Sequence, residues 1–224
     1  VIFRHPEQFG KRYRLASSTD EQDFAEAIHS LDEKLDSWSE LESPLPQEEI
    51  PVMSGTFNAP IYGLDHWQDL FNARQKLALI TLLGRIRDSY SDVKASCASM
   101  LDRTSLAGEV QPEELVRSVM GYLALILNRQ CDYCNDLCTW HNTGEKLNHL
   151  FGRQAIPMSW DYVELNPLNG SSGDWTSHTA WVLRCIRANP TTHGAESHVR
   201  KASAISLPFP DGSFDAVLTD PPYY

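Results

Sequence analysis

The run Val119-Met120-Gly121-Tyr122-Leu123-Ala124-Leu125-Ile126-Leu127 constrains this chain more than any other stretch. It follows Gln111-Pro112-Glu113-Glu114, where proline suits the first turn of a helix. The run is apolar nearly all round, so the spacing predicts a helix buried on several sides, not one lying on a surface. It is expected to continue to about Thr139. A helix of that kind needs other helices around it, and the chain supplies candidates on both sides.

Ser17-Ser18-Thr19-Asp20-Glu21 places cap residues and early acids before a helix expected over about 20–36. Its apolar positions Phe24, Ala27, Ile28 and Leu31 fall at spacings of three and four. Pro44, Pro46 and Pro51 mark 39–60 as a linker, expected to cross the surface in extended form. Asp65 then reads as a cap for one long helix reaching about Ala95, with an apolar stripe of Leu70, Leu77, Ile80, Leu83 and Ile86. Residues 101–111 read as a loop. Residues 142–176 look irregular, with strong turn chemistry at Asn166-Pro167-Leu168-Asn169-Gly170. A further helix is expected over Trp175 to Ala188. Ser197 to Lys201 alternates weakly and could form a short strand into Ala202-Ser203-Ala204. No internal repeat is visible.

At 224 residues and 42% apolar content the chain can bury one substantial core. Its net charge of −11 opposes the basic footprint usual in nucleic-acid binders, so any basic surface must be local or lie on other sequence. No run of eighteen apolar residues exists, so no membrane span is expected. No secretory signal is visible at the first residues, and the five cysteines are therefore expected to be reduced thiols of a cytoplasmic protein. A first residue of Val and a last residue inside a motif suggest a fragment cut at both ends.

That motif closes the chain. Phe214 to Thr219 reads as a strand, reached through the tight connection Pro208, Pro210, Asp211-Gly212, and it ends in Asp220-Pro221-Pro222-Tyr223, followed by Tyr224. An exocyclic amino nitrogen is a poor nucleophile because its lone pair is delocalised into the ring. Acceptors around its hydrogens, such as an Asp carboxylate and the carbonyl of the following proline, favour a pyramidal nitrogen. Two prolines stiffen the loop and leave no N–H to compete. An aromatic beyond them can stack on a base swung out of its helix. A strand would deliver this loop to the carboxyl edge of a sheet, where open α/β folds bind ligands.

Asp220-Pro221-Pro222-Tyr223 resembles the signature tetrapeptide of methyltransferases that modify exocyclic amino groups of bases, and Leu207 to Val217 resembles the lead into their fourth strand. Tyr62-Gly63 with Trp67-Gln68-Asp69-Leu70-Phe71-Asn72-Ala73-Arg74-Gln75 resembles a block of large adenine-specific DNA methylases that carry an N-terminal domain of unknown function. Phe151-Gly152-Arg153-Gln154-Ala155-Ile156-Pro157-Met158-Ser159-Trp160-Asp161 and Glu164-Leu165-Asn166-Pro167 resemble a second. The similarity spans about residues 55–224.

The resemblance implies a partial Rossmann-like methyltransferase sheet, an α/β fold, with a large mainly α-helical insertion. Residues 1–190 would be the helical, target-recognition region, and 191–224 the partial core that ends in the catalytic loop. It implies S-adenosyl-L-methionine as methyl donor and a flipped adenine of DNA as target. Asp220 and the Pro221 carbonyl would hold the amino group, Pro222 would stiffen the loop, Tyr223 would stack the base and Tyr224 would support it. Ser203 and Ala204 occupy positions that contact the cofactor adenine in such enzymes, with Ser203 replacing an acid. The family's glycine-rich cofactor loop has no counterpart in the sequence, so the main cofactor site is expected upstream and the truncated chain is expected to be inactive. Cytosine N4 or an RNA amino group are alternative targets. A non-catalytic helical module that binds DNA or a partner is an alternative of another class.

Other signals carry less. Cys131, Cys134, Cys138 and His141 have zinc-ligand types, but on one helix the outer members stand more than roughly 10 Å apart, at about 1.5 Å of rise per residue. They read as buried or half-exposed thiols, and no metal is expected. Arg74-Gln75 could face DNA or anchor a loop, although a solvated or salt-bridged face is the commoner role of such an Arg. Trp160 reads as core packing rather than as the wall of a base pocket. His193 and His198 read as solvated.

Overall fold

A computed structural model describes residues 1–4, 10–39, 43–53, 55–104, 110–152, 155–170, 172–188 and 199–220. The fold is mixed and mainly helical. Two antiparallel hairpins, β1 (Ile2–Arg4) with β2 (Lys11–Tyr13) and β3 (Thr139–His141) with β4 (Lys146–Asn148), accompany five helices. These are α1 (Ser18–Asp36), α2 (Ala73–Asp88), α3 (Tyr90–Asp102), α4 (Pro112–Tyr133) and α5 (Trp175–Ala188). The chain divides into two compact units, Val1–Ala188 and Asn189–Tyr224.

Helix α1 begins where its cap chemistry predicts. The Ser17 N–H donates to Asp20 Oδ2 at 2.7 Å, and Arg14 grips the same carboxylate at 2.6 Å. Arg14 first, and then the Ser17 donors, hold the Asp20 carboxyl well below the usual carboxylate range. Ala27 and Leu31 are buried, whereas Ile28 faces out.

The expected long helix from Asp65 to Ala95 is instead three pieces. A 3-10 turn, Trp67–Leu70, comes first. Asn72, not Asp65, caps α2: its side-chain oxygen accepts from Gln75 N at 3.0 Å, and Gln75 Oε1 accepts from Asn72 N at 2.9 Å. At the far end Ser89 Oγ donates to Ile86 O at 2.7 Å, and the chain turns into α3. A serine that bonds the preceding turn competes with the helical ladder and bends it. The buried face of α2 is Gln75, Leu79, Ile80 and Ile86, so Leu79 stands where Leu77 was expected.

Helix α4 starts at Pro112 but stops at Tyr133, short of Thr139. Asn135, 1% exposed, takes over two carbonyls that the ending helix leaves without partners, donating Nδ2 to Cys131 O and to Asp132 O at 3.0 Å each. Its Oδ1 accepts from Leu137 N at 3.1 Å, which turns the backbone toward β3. The burial of α4 expected on several sides is incomplete. Val116, Ile126 and Gln130 are buried, but Tyr122 and Leu125 are exposed. Helices α2, α3 and α5 pack against α4 and leave part of its girth uncovered.

The segment expected to cross the surface as a linker enters the core. Ile50, Ala59, Leu70, Leu137, Leu150 and Ile156 form one buried cluster, with Phe57, Leu64, Trp67, Phe71 and Met158 against it. Ile50 N donates to Asp65 O at 2.8 Å and Trp67 N to Glu48 O at 3.1 Å, so the extended stretch is paired rather than solvated. Burial of Ile50 alone is worth about 2 kcal/mol, enough to hold a proline-rich strand of chain down. Within 142–176, read as irregular, lies strand β4, which pairs with β3 just before that stretch, Trp140 opposite Leu147.

In the second unit, Phe214 to Thr219 forms no strand, and 199–220 is exposed throughout. A strand needs a neighbouring edge for its backbone groups, and among the described residues the second unit has no strand to supply one. The weak strand expected around Ser197 to Ala204 is likewise replaced, over its described part, by a turn bridged from Ser203 to Ser206.

Candidate functional site

Two regions hold the residues singled out above. The first is the approach to Asp220. Ser213 N donates to Pro210 O at 3.3 Å, closing a turn at Asp211-Gly212, where Gly212 has φ 75°. Phe209 and Phe214 meet edge to face across this turn with ring centroids 4.9 Å apart, and the Arg200 guanidinium lies 5.5 Å over Phe209. Beyond Phe214 the chain runs irregularly to Asp220, which is exposed. Pro221, Pro222, Tyr223 and Tyr224 lie outside the described residues. Ser203 and Ala204 sit in the exposed turn closed by Ser206 N donating to Ser203 O at 3.2 Å, and Ser203 Oγ accepts from Ile205 N at 3.3 Å.

The second region joins the two blocks that carry the family resemblance. Arg74, at the start of α2, grips Glu164 with two nitrogens, Nε at 2.6 Å from Oε1 and Nη2 on Oε2. Tyr162 OH donates to Glu164 Oε2 at 2.8 Å and accepts from Asn72 Nδ2 at 2.9 Å. Asn72 Nδ2 also donates to Asp136 Oδ1 at 3.0 Å. The network ties the start of α2, the turn after α4 and the 161–164 segment together. Arg74 is therefore a loop anchor, and Gln75 is a buried cap. Asp136, Asn72 and Glu164 were not singled out from the sequence, although the spacing Asn72-x-x-Gln75 carries the signature of a reciprocal cap.

Burial raises the Asp136 carboxyl above its usual range, and the Glu164 charge adds to this while the Asn72 amide works against it. Burial, then the hydrogen bond to Glu164, keeps the Tyr162 phenol protonated. Every hydrogen bond of this network has its donor and acceptor within the fold. It fixes backbone position, and beside it Gln75 Nε2 is buried without a hydrogen-bond partner.

Trp160 is not core. It is 79% exposed and meets Tyr62 edge to face at 5.5 Å. Its neighbours hold it in place: Asp161 Oδ2 accepts from Trp140 N at 2.8 Å, and Val163 is buried.

Three of the five cysteines, Cys131, Cys134 and Cys138, cluster at the end of α4. Burial pushes Cys131 and Cys138 up to about 11 each, and pushes Cys134 higher still. Cys138 Sγ donates to Asp132 O and Asn135 Oδ1, and His141 Nδ1 accepts from Gly144 N at 2.9 Å within the β3–β4 turn. Among the described residues, no three His, Cys, Asp or Glu side chains gather as a metal site. Also among them, no helix is long and apolar enough to cross a membrane. Arg153, Gln154, His193 and His198 lie outside the described residues.

Comparison with protein-family models found no match, and comparisons with curated proteins and with solved structures found none either.

Proposed function

We propose that this chain is part of an S-adenosylmethionine-dependent methyltransferase that acts on the exocyclic amino group of adenine in DNA. The single observation behind this reading is the run from Leu207 to Tyr223, in which Asp220-Pro221-Pro222-Tyr223 follows an apolar lead. The Asp220 carboxylate and the Pro221 carbonyl accept the two amino hydrogens and favour a pyramidal nitrogen. Pro221 and Pro222 restrict the loop, Tyr223 stacks the displaced base, and Tyr224 supports it. The turn that brings Phe209 onto Phe214 supports the reading in one respect: it gives the run to Asp220 a defined start.

Ser203 and Ala204 do not fit a nucleotide cradle. They are exposed, and the Ser203 hydroxyl is engaged within its own turn. The reading therefore assigns them no role, and the Rossmann-like sheet it requires would form only when Phe214 to Thr219 finds neighbouring strands. Asp220→Ala, made in the chain with its flanking coding sequence, is expected to lower N6-methyladenine formation in DNA by about a hundredfold or more, by analogy with loss of one fixed transition-state contact. Nucleoside mass spectrometry reads the product, and unchanged methylation would refute the assignment.

A second reading, a helical module that binds DNA or a partner without catalysis, is favoured by one feature. The first unit carries its own core, built from residues 50–156, and closes its polar network internally. Calorimetry with S-adenosylmethionine separates the two: tight binding by these 224 residues alone would contradict a cofactor site on other sequence.

A further inference from the structure

His178 sits in the interface of α4 and α5, 3% exposed. Arg129 Nε donates to its Nδ1 at 3.1 Å. A guanidinium can only donate, so Nδ1 must carry a lone pair and the ring proton must sit on Nε2. Nε2 is buried without a hydrogen-bond partner. The side chains around this contact are closely fitted. The Tyr133 ring meets His178 edge to face at 4.7 Å, and Arg129 lies 4.4 Å over the ring of Trp181, one turn along α5. A Cβ added at Gly173, which has φ +91°, would come within 3.0 Å of Tyr133, so the approach to α5 tolerates little shift.

We propose that His178 is an acid-sensitive latch on α5: its neutral Nδ1 accepts from Arg129 and pins α5 to α4, and a proton on Nδ1 sets two donors face to face and releases the helix. The groups facing His178 decide whether it charges. From α4, Arg129 opposes a second positive charge, and Asp132 favours one. From the start of α5, Asp174 favours it, as does the carbonyl of Gly173 just before. The Tyr133 ring packs on His178 and also stacks on His149, which is paired with Asp132 at 2.7 Å. Burial and Arg129 outweigh the acids, which holds His178 below the ordinary histidine range. The sign follows: the folded pKa is depressed, so the contact is intact above the unfolded value near 6.5 and weakens as pH falls through it toward the folded value. Helix α5 is the last helix of the first unit.

Amide hydrogen exchange of α5, corrected for intrinsic rates and measured on the 224-residue chain, tests this. Between pH 7.5 and pH 5.0 the protection of α5 is expected to fall several-fold, up to the roughly thirtyfold that one group with an unfolded value near 6.5 can supply over that interval. His178→Gln, which keeps an acceptor and does not titrate, is expected to abolish the fall, and His149→Gln to leave it. An equal fall in His178→Gln, no fall in the native chain, or a fall abolished by His149→Gln would each overturn the latch. Nitrogen chemical shifts of the native chain give a readout that needs no variant: a His178 proton on Nε2 at pH 7.5 is required, and a proton on Nδ1 would overturn the proposal.

Discussion

Asn135→Ala removes the side chain that ends α4. Four contacts depend on it: Nδ2 to Cys131 O and Asp132 O, and Oδ1 from Leu137 N and Cys138 Sγ. They are not equal. Asp132 O keeps a second donor, Leu150 N at 3.1 Å, and Cys131 O keeps a weak one, Cys134 N at 3.4 Å. Leu137 is 4% exposed, so its N–H becomes a buried orphan. One orphaned donor costs about 1–3 kcal/mol and each weakened carbonyl bond about 0.5–1 kcal/mol. Together these come to about 2–5 kcal/mol. Asn135→Asp separates donor from acceptor chemistry. Its carboxylate still accepts from Leu137 N but points oxygen at two carbonyls, so it is expected to destabilise at neutral pH at least as much as alanine does. Urea unfolding followed by circular dichroism measures both. A cost below about 0.5 kcal/mol for Asn135→Ala, the range of an ordinary surface change, would refute the view that this amide terminates α4.

Two further predictions concern the network at the start of α2. Arg74→Ala is expected to cost more than Glu164→Ala, because the Glu164 side chain is 13% exposed and would be left as a nearly buried charge, whereas the Arg74 side chain, 45% exposed, can turn to water; the double-mutant cycle should give a coupling of about 1 kcal/mol, and the reverse order of costs would refute the pairing. Asp136→Asn is expected to flatten one component of the pH dependence of stability. The Asp136 carboxyl is raised in the folded chain, so the native protein binds the proton more tightly and loses stability as pH rises through the window above the unfolded value near 3.8. The variant should therefore gain on the native chain as pH increases across that window, and equal slopes in urea titrations at successive pH values would contradict it.

Several elements were legible without a structure because their determinants are local. Ser17 with Asp20 marks the start of α1, Pro112 the start of α4, and the extent of Trp175 to Ala188 follows from its pattern; in space Asp174 caps that last helix by accepting from Ser177 N at 2.8 Å. The Asn72 cap was equally local, yet Asp65 drew the expectation because it precedes the apolar stripe. The break at Ser89 and the end of α4 at Tyr133 were not legible. Each is decided by which carbonyl a small polar side chain reaches, and that depends on backbone already folded around it. The proline-rich stretch 43–51 looked like a surface linker by composition, but Ile50 found a pocket made by Leu137, Leu150 and Ile156, all distant in sequence.

The candidate site divides in the same way. Asp220, Pro221, Pro222 and Tyr223 are a contiguous motif, so their chemistry can be read from residue order alone, and Arg74 and Glu164 belong to recognisable blocks. That Arg74 closes on Glu164, and that Trp160 projects to 79% exposure on an anchored segment while Val163 turns inward, required the fold. By itself the sequence determined the helical character and the capped starts of α1 and α4. Tertiary structure decided where helices stop, which face of α4 is covered, that 214–219 stays unpaired, and that His178 meets Arg129. Caps and motifs act over a few residues of one chain segment, whereas burial, strand pairing and ion pairs depend on which distant segments meet.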